Sequence, residues 1–413
     1  MPAREWQTKV VSDPACSFFA PCPRGLEAPL AAELTALGAT FVKPTDGGAS
    51  FAGPLELAYR ANLESRLASR ILWRIAHGRY RNEDELYKLA HGIEWDRHFT
   101  VERTLRVDVA ATRSPLTSLE FATLRIKDAV CDRFRDVCAK RPSVDKQRPD
   151  VRVHAFLTER EATFYLDTSG EALFKRGYRR EADVAPLREN LAAGLIALSG
   201  WAPGTPLLDP LCGSGTIAIE AALLAADRAP GLARTFGFQK LAWYDGPTWQ
   251  RIRQRAHDRV RAAPDAPGIT ASDVDGRVLE WCRRNLATAR VADFVRVEEA
   301  DVLDRSAPAP AGVLIANPPY GVRLEHDAML TAFYPKLGDA LKQRFAGWTA
   351  YLLTGDPRLA KMIGLKPSRR TPLYNGAIEC RLYRFEIVAG RHLRPAQHEA
   401  SGTGESGNDP APS

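Results

Sequence analysis

Four short segments carry residue types on which ligand chemistry can be built, and they follow one another along the second half of the chain. They are DPLCGSGT from Asp209 to Thr216, SDVD from Ser272 to Asp275, EEADV from Glu298 to Val302 and NPPY from Asn317 to Tyr320. Gly213 and Gly215 let the backbone turn tightly and approach a ligand with no Cβ in the way, where an apolar run passes into a helix whose first amides are free. The turn is neither a G-x-G-x-x-G fingerprint, since Ile217 and Ala218 follow Thr216, nor a phosphate P-loop, since no Gly-Lys-Ser/Thr follows. A lone G-x-G after a strand also serves plain helix packing. Asp273 and Asp275, at the end of another apolar run, are suited to accept both hydrogen bonds of a ribose diol. Asp301 and the Asn317–Tyr320 segment end two more runs, and ligands of open α/β sheets bind outside the carboxyl ends of strands.

The elements that must position these residues can be read from periodicity. From Pro186 onward helical runs alternate with short apolar strands. Asn190–Leu198 is followed by TPLLD, a helix at Thr216–Ala226, GITASD, a helix at Arg277–Ala289 and VLIAN at Val313–Asn317. That alternation predicts a parallel sheet wound with helices on both faces. YLLTGD adds a strand, and RTPLYNGAIECRLYRFEIV, with Asn375-Gly376 between two strand-like runs, predicts a terminal antiparallel hairpin. The first half reads as two α+β units. CPRGLEAPLAAELTALGA, from Cys22, has Leu26, Leu30, Leu34 and Leu37 on one helical side, and FVKPTDGGASFAG makes two strands about Asp46-Gly47-Gly48. A helix is expected over Asn62–Ala76. A strand at Thr104–Ala111, a helix at Leu119–Arg135 and a hairpin over Arg152–Gly170 form the second unit.

At 413 residues, with 45% apolar and 26% charged side chains, the chain can bury several domain cores, which excludes wholesale disorder. It has no run of about 18 apolar residues and no apolar signal region at its start. Seven cysteines without a C-x-x-C pair suit neither a disulfide framework nor a zinc knuckle, so no metal and a reducing cytoplasm are expected. The net charge of +7, from 57 basic and 50 acidic residues, fits a polyanionic partner and equally a mildly basic enzyme.

The four segments, in this order and spacing, resemble the motifs of class I S-adenosylmethionine-dependent methyltransferases, and NPPY resembles the loop of those that methylate exocyclic amino nitrogens. The resemblance implies that Asp209, Pro210, Cys212, Gly213, Ser214 and Gly215 hold the methionine end of the cofactor, Asp273 the ribose, and Asp301 the adenine. Asp275 is a second acid of the ribose loop. APLRENLAAGLI, from Ala185, is similar to the helix that lines the cofactor site. The first half, through NLESRLASRILWRI, TLRIKDAVCDRFRD and LDTSGEALFKRGYR, resembles the ferredoxin-like and THUMP domains of RNA guanine-N2 methyltransferases. The nearest likeness is to the amino-terminal half of the bifunctional bacterial large-subunit rRNA enzymes. The implied division is a polar lead-in (1–15), a ferredoxin-like domain (16–65), a THUMP domain (66–170), a basic linker (171–185), a Rossmann-like methyltransferase domain (186–392) and a disordered tail (393–413). The bifunctional enzymes continue into a second methyltransferase domain, so only the guanine-N2 activity is expected here.

The chemistry accounts for the residue types in NPPY. The lone pair of a guanine amino group is delocalised into the ring. Asn317 Oδ1 and the Pro318 carbonyl can each accept a hydrogen bond from that group, which favours a more tetrahedral, nucleophilic nitrogen. Pro319 stiffens the loop and Tyr320 offers a face on which the base can stack. The sulfonium cofactor supplies the activated methyl, and C5 methylation of a pyrimidine would need a Cys that ANPPYGVR lacks. FKRGYRR places Lys175, Arg176, Arg179 and Arg180 around Tyr178, a pattern suited to single-stranded RNA. WQRIRQRAHDRVR is a second Arg-rich stretch, read as a solvated helix face or an RNA contact. The expected partner is RNA, foremost 23S rRNA, presenting an unpaired or flipped guanine. A tRNA guanine-N2 enzyme and a non-catalytic ribosome-assembly factor are the alternatives.

Overall fold

Two seven-stranded sheets organise the chain. The computed structural model describes residues 16–179, 187–319 and 324–388, with side chains from 329 onward in the last segment. The first sheet belongs to β1 (Cys16–Pro21), α1 (Glu27–Ala36), β2 (Thr40–Thr45), β3 (Gly48–Gly53), α2 (Glu56–Glu64), β4 (Leu72–Arg79), α3 (Glu83–His91), β5 (Leu105–Ala111), α4 (Leu119–Cys138), β6 (Val151–Leu157) and β7 (Glu161–Asp167). Its order is β2-β3-β1-β4-β7-β6-β5, so one sheet crosses from the first expected α+β unit into the second where β1 pairs with β4. Along β6 and β7 buried residues alternate with more accessible ones, the pattern of a sheet packed on one face and open on the other.

The helix expected over Asn62–Ala76 is not formed. Leucines at helical spacing suggested it, but α2 stops at Glu64 because a half-buried carboxylate captures the next turn. Glu33 of α1 accepts from the Ser65 hydroxyl over 2.7 Å and from the Arg66 amide over 2.6 Å. From Leu72 the chain enters the sheet as β4, guided by Ser169 and Thr168, which bond the backbone of Ile71. Long-range partners override a local pattern here.

The second sheet follows from α5 (Glu189–Ser199), β8 (Leu207–Asp209), α6 (Thr216–Ala225), α7 (Gly246–Asp258), β9 (Ile269–Asp273), α8 (Gly276–Ala289), β10 (Val295–Glu299), β11 (Gly312–Ala316), α9 (Leu324–Arg344), β12 (Trp348–Thr354), α10 (Pro357–Met362), β13 (Arg369–Asn375) and β14 (Ile378–Glu386). The order is β10-β9-β8-β11-β12-β14-β13, with β8 to β12 mutually parallel and the β13–β14 hairpin antiparallel, as the Asn375-Gly376 turn required. The chain leaves β8 toward β9 and β10, then returns to lay β11 on the other side. This reversal opens a crevice at the carboxyl ends of β8 and β11.

An aromatic cluster joins the two halves. Tyr59 of α2 lies 4.6 Å from Phe238 and 5.3 Å from Trp243, and Trp249 of α7 meets Phe238 edge-on at 5.1 Å. The Tyr59 hydroxyl accepts from the Asp245 amide over 2.8 Å. Asn190 of α5 donates to the Leu67 carbonyl and Ser69 hydroxyl, tying the start of the second half to the connector before β4. Among the described residues no helix is long and apolar enough to cross a membrane.

Candidate active site

The crevice is built at the ends of four strands. β8 ends at Asp209, which is 1% exposed, and the following turn is held on both sides. The Cys212 amide donates to the Ser272 carbonyl over 3.0 Å, and Asn285 of α8 donates to the Ser214 carbonyl over 3.1 Å. Gly213 and Gly215 have φ of +50° and +86°, in the left-handed region that disfavours other residues. A Cβ on Gly213 would meet nothing within 4 Å, whereas one on Gly215 would lie 2.5 Å from Cys282 Sγ. The first glycine therefore faces open space and the second is required by packing.

Asp273, at the end of β9, accepts from the Gly213 amide through Oδ2 and from the Asp275 amide through Oδ1. Asp275, expected as a second acid of the ribose loop, has both carboxylate oxygens engaged by Arg277. It is the N-cap of α8, accepting from the Arg277 amide over 2.9 Å and pairing with the Arg277 side chain. The pattern D-x-D followed by helix is equally a capping signature. Asp301 is exposed beyond β10, with Oδ1 held by the Leu303 amide. Asn317 and the buried Pro318 follow β11, and Pro319 is exposed. Tyr320 lies outside the described residues.

Two acceptors in this crevice lack partners. Asp209 Oδ1 and Asn317 Oδ1 are buried without a hydrogen bond among the described residues, and such groups cost about 1–3 kcal/mol each unless something satisfies them. Burial pushes the Asp209 acid well above the ordinary carboxylate range, the nearby Asp273 carboxylate adds to the rise, and a backbone hydrogen bond from Leu211 opposes it. A cationic ligand group beside Asp209 relieves this. Cys212 is no nucleophile, because a contact with Cys282 and burial hold its thiol well above the usual range.

Tyr334 of α9 was not foreseen. Its buried hydroxyl donates to the Pro319 carbonyl over 3.3 Å and props the loop after β11. Burial raises its phenol to about 12, so it remains a donor. Nothing in the sequence pattern singled it out.

Three members of the basic cluster before the second half, Arg176, Tyr178 and Arg179, turn inward instead of facing solvent. Arg176 is 3% exposed and pairs with Glu220 of α6 at 3.4 Å, and the buried Tyr178 hydroxyl donates to the same carboxylate over 3.2 Å. Arg179 turns inward to the Leu187 carbonyl and Thr216 hydroxyl. Lys175 stays at the surface, paired with Glu171, and Arg180 lies outside the described residues. The group anchors α6, the helix that starts at the glycine turn. The sequence did hold a sign of it, since Glu220 is the single charge in TIAIEAALLA.

A second concavity lies on the open face of the first sheet. A groove of about 1220 Å³ is lined by the aromatic Phe19, Tyr165 and Phe156 and by charges of both signs, Arg113 and Arg160 with Asp108 and Glu159 among them, and the Phe19 and Tyr165 rings are 6.4 Å apart.

Comparison with known proteins places this geometry in a family. The RMKL-like methyltransferase domain family matches residues 176–384, the THUMP domain residues 80–167 and the RlmL ferredoxin-like domain residues 17–72. The chain is 43% identical over 389 residues to the ribosomal RNA large subunit methyltransferase K/L of Syntrophotalea carbinolica, covering 92% of this chain and 55% of that protein. It thus spans about half the length of the curated relatives it matches. Among solved structures it is 30% identical to SMU.472, a protein assigned as a methyltransferase and crystallised with SAH, with a TM-score of 0.82 over 91% of this chain and 99% of that one. The same identity and TM-score relate it to a Listeria monocytogenes protein described as a predicted N6-adenine-specific DNA methylase, over 91% and 97% of the two chains. By the match over residues 176–384, which hold the glycine turn and the parallel sheet, the chain belongs to the RMKL-like methyltransferase domain family.

Proposed function

We propose that the protein transfers the methyl group of S-adenosylmethionine to the exocyclic N2 of a guanine in RNA, with 23S rRNA as the substrate. The observation that carries this reading is the pair of orphaned acceptors, Asp209 Oδ1 and Asn317 Oδ1, at the switch point of the sheet beside an open glycine turn. The cofactor, when bound, supplies an electrophilic methyl on a sulfonium. The residues present fit it. Asp209 would answer a cationic methionine end, with room left for it at Gly213 in the turn from Pro210 to Gly215, Asp273 would accept from the ribose, and Asp301 would serve the adenine. Asn317 Oδ1 and the Pro318 carbonyl would hold the amino nitrogen in line, and the role given to Tyr320 is to offer the base an aromatic face. The two carbonyl oxygens accept hydrogen bonds and so orient the lone pair, and the N–H proton is lost to solvent once the nitrogen has taken the methyl.

The likeness to the K/L relatives and the match to the THUMP domain support an RNA substrate. The free state of all seven cysteines supports a reducing cytoplasm. The likeness to the Listeria protein favours a second reading, adenine N6 in DNA, which the same loop chemistry would serve.

The test is to incubate the protein and tritiated S-adenosylmethionine with protein-free 23S rRNA, bulk tRNA or genomic DNA, each from a strain lacking this gene, and digest to nucleosides. Label in N2-methylguanosine from 23S rRNA is the expected result. Label from tRNA alone moves the substrate to tRNA, and N6-methyladenine from DNA establishes the second reading.

A further inference from the structure

The Arg-rich helix α7 has a destination. Gln250, Arg253, Gln254 and His257 are spaced at i, i+3, i+4 and i+7 and share one face, while Trp249, Ile252 and Ala256 are buried on the other. That face forms one wall of a cavity of about 560 Å³, whose other walls hold Arg228, just past α6, and Arg290, at the end of α8. Tyr178, Leu223 and Leu232 give it an apolar floor.

The cavity is at the far edge of the sheet from the crevice. α6 and α8 both begin at the carboxyl ends of strands, and the cavity lies where they finish, about 20 Å away along a helix of 14 residues. Among the described residues lining it none is acidic, and Arg228, Arg253 and Arg290 have no carboxylate partner. The helix C-termini offset only about half a charge each. Burial and the charge of Arg290 both work against the Arg228 guanidinium, so the two arginines are held together at a cost. An anion with several acceptor oxygens removes that cost, and the volume suits a whole nucleotide rather than a lone ion.

We propose that this cavity is a phosphate site, and, resting on the RNA reading above, that it grips a backbone phosphate of the RNA remote from the methylated base. The same oxygens occur on a free nucleotide, and the test separates the two sources.

The test uses the whole chain and the variants Arg228→Gln and Arg253→Gln, singly and together. Arg253 is exposed on α7, so its single variant keeps its fold and decides the matter even if Arg228→Gln does not. Inorganic pyrophosphate is titrated calorimetrically, and protein-free 23S rRNA is bound over a salt series. The expected result is loss of the pyrophosphate heat, about tenfold weaker RNA binding, and a log K against log salt slope shallower by roughly 0.7–0.9 per arginine, with cofactor affinity unchanged. Pyrophosphate binding lost in the variants while RNA binding is untouched supports the site and assigns it to a free phosphate compound. Pyrophosphate bound by a wild-type protein that ignores RNA keeps the site and sinks the RNA reading. Wild-type RNA binding whose strength and salt slope survive both substitutions, with no pyrophosphate heat, overturns the site and leaves the RNA reading standing. No binding of either probe by the wild-type protein overturns both.

Discussion

The Gly213 amide donates to Asp273 Oδ2 over 2.9 Å, so the glycine turn after β8 and the acid at the end of β9 form one unit rather than two neighbouring contacts. Removing the acid deletes the proposed ribose acceptor and also frees the turn. Asp273→Ala should weaken cofactor binding by about 10–100-fold, corresponding to the ~1.5–3 kcal/mol of a charged hydrogen bond. Asp273→Asn, which keeps one acceptor, should lose less. Calorimetric titration with S-adenosylmethionine checks this, and equal losses in the two variants would count against a shared role.

The two glycines should fail differently. Gly215→Ala meets Cys282 Sγ and carries a left-handed φ, so it should lower stability by at least ~1–2 kcal/mol. Gly213→Ala has the strained φ but free space, so its melting temperature should fall less while cofactor affinity drops sharply. Melts of the ligand-free proteins, paired with cofactor titration, distinguish the two.

Asn317→Ala should reduce methyl transfer by at least about 100-fold, the cost of removing one positioned transition-state partner. Cofactor and RNA affinity should stay near wild type. Single-turnover rates and separate binding measurements supply the comparison. Binding that collapsed together with turnover would falsify the role given to Asn317.

Asp209 has a sign that can be read against pH. Its folded-state pKa lies above its unfolded value, so the stability it contributes is fully present below the ordinary carboxylate range and is lost as pH rises toward the folded value. Asp209→Asn cannot ionise. The ligand-free variant should therefore melt above wild type near pH 7, with the gap closing toward about pH 4, and it should bind the cofactor poorly. A gap that grew on acidification would contradict this.

Glu220 should behave as a structural anion. Glu220→Ala leaves Arg176 charged and buried without its partner, an expected loss of roughly 3–5 kcal/mol. Arg176→Met, of similar length and without charge, should cost stability as well but leave the salt dependence of RNA binding unchanged. A shallower salt slope for Arg176→Met would restore Arg176 to the RNA surface.

The sequence revealed the crevice well because its ingredients are local. A strand end, a glycine pair and a helix start are encoded within a few residues of Asp209, and the same holds at Asp273 and Asn317. Where the reading failed, the deciding partner was distant. FKRGYRR reads as an RNA-binding pattern of cations around an aromatic unless Glu220, more than forty residues later, is known to lie beneath it. NLESRLASRILWRI reads as a helix unless Glu33 is known to seize the Ser65–Arg66 turn. Asp275 was ambiguous for a further reason, because the residue that ends a ligand loop and the residue that caps the next helix are the same types. Tyr334 sits in α9, whose apolar pattern gave no warning of a loop to support.

The aromatic cluster around Tyr59 has a thermodynamic consequence. Its rings come from α2 on one side and from the segment between α6 and β9 on the other, so neither half completes its own apolar interior. An interface of that kind couples the two melting equilibria, because opening one half exposes aromatic surface of the other. The molecule should lose its order as one cooperative unit, and a defect in the amino-terminal sheet will be felt as lost heat tolerance in the second one.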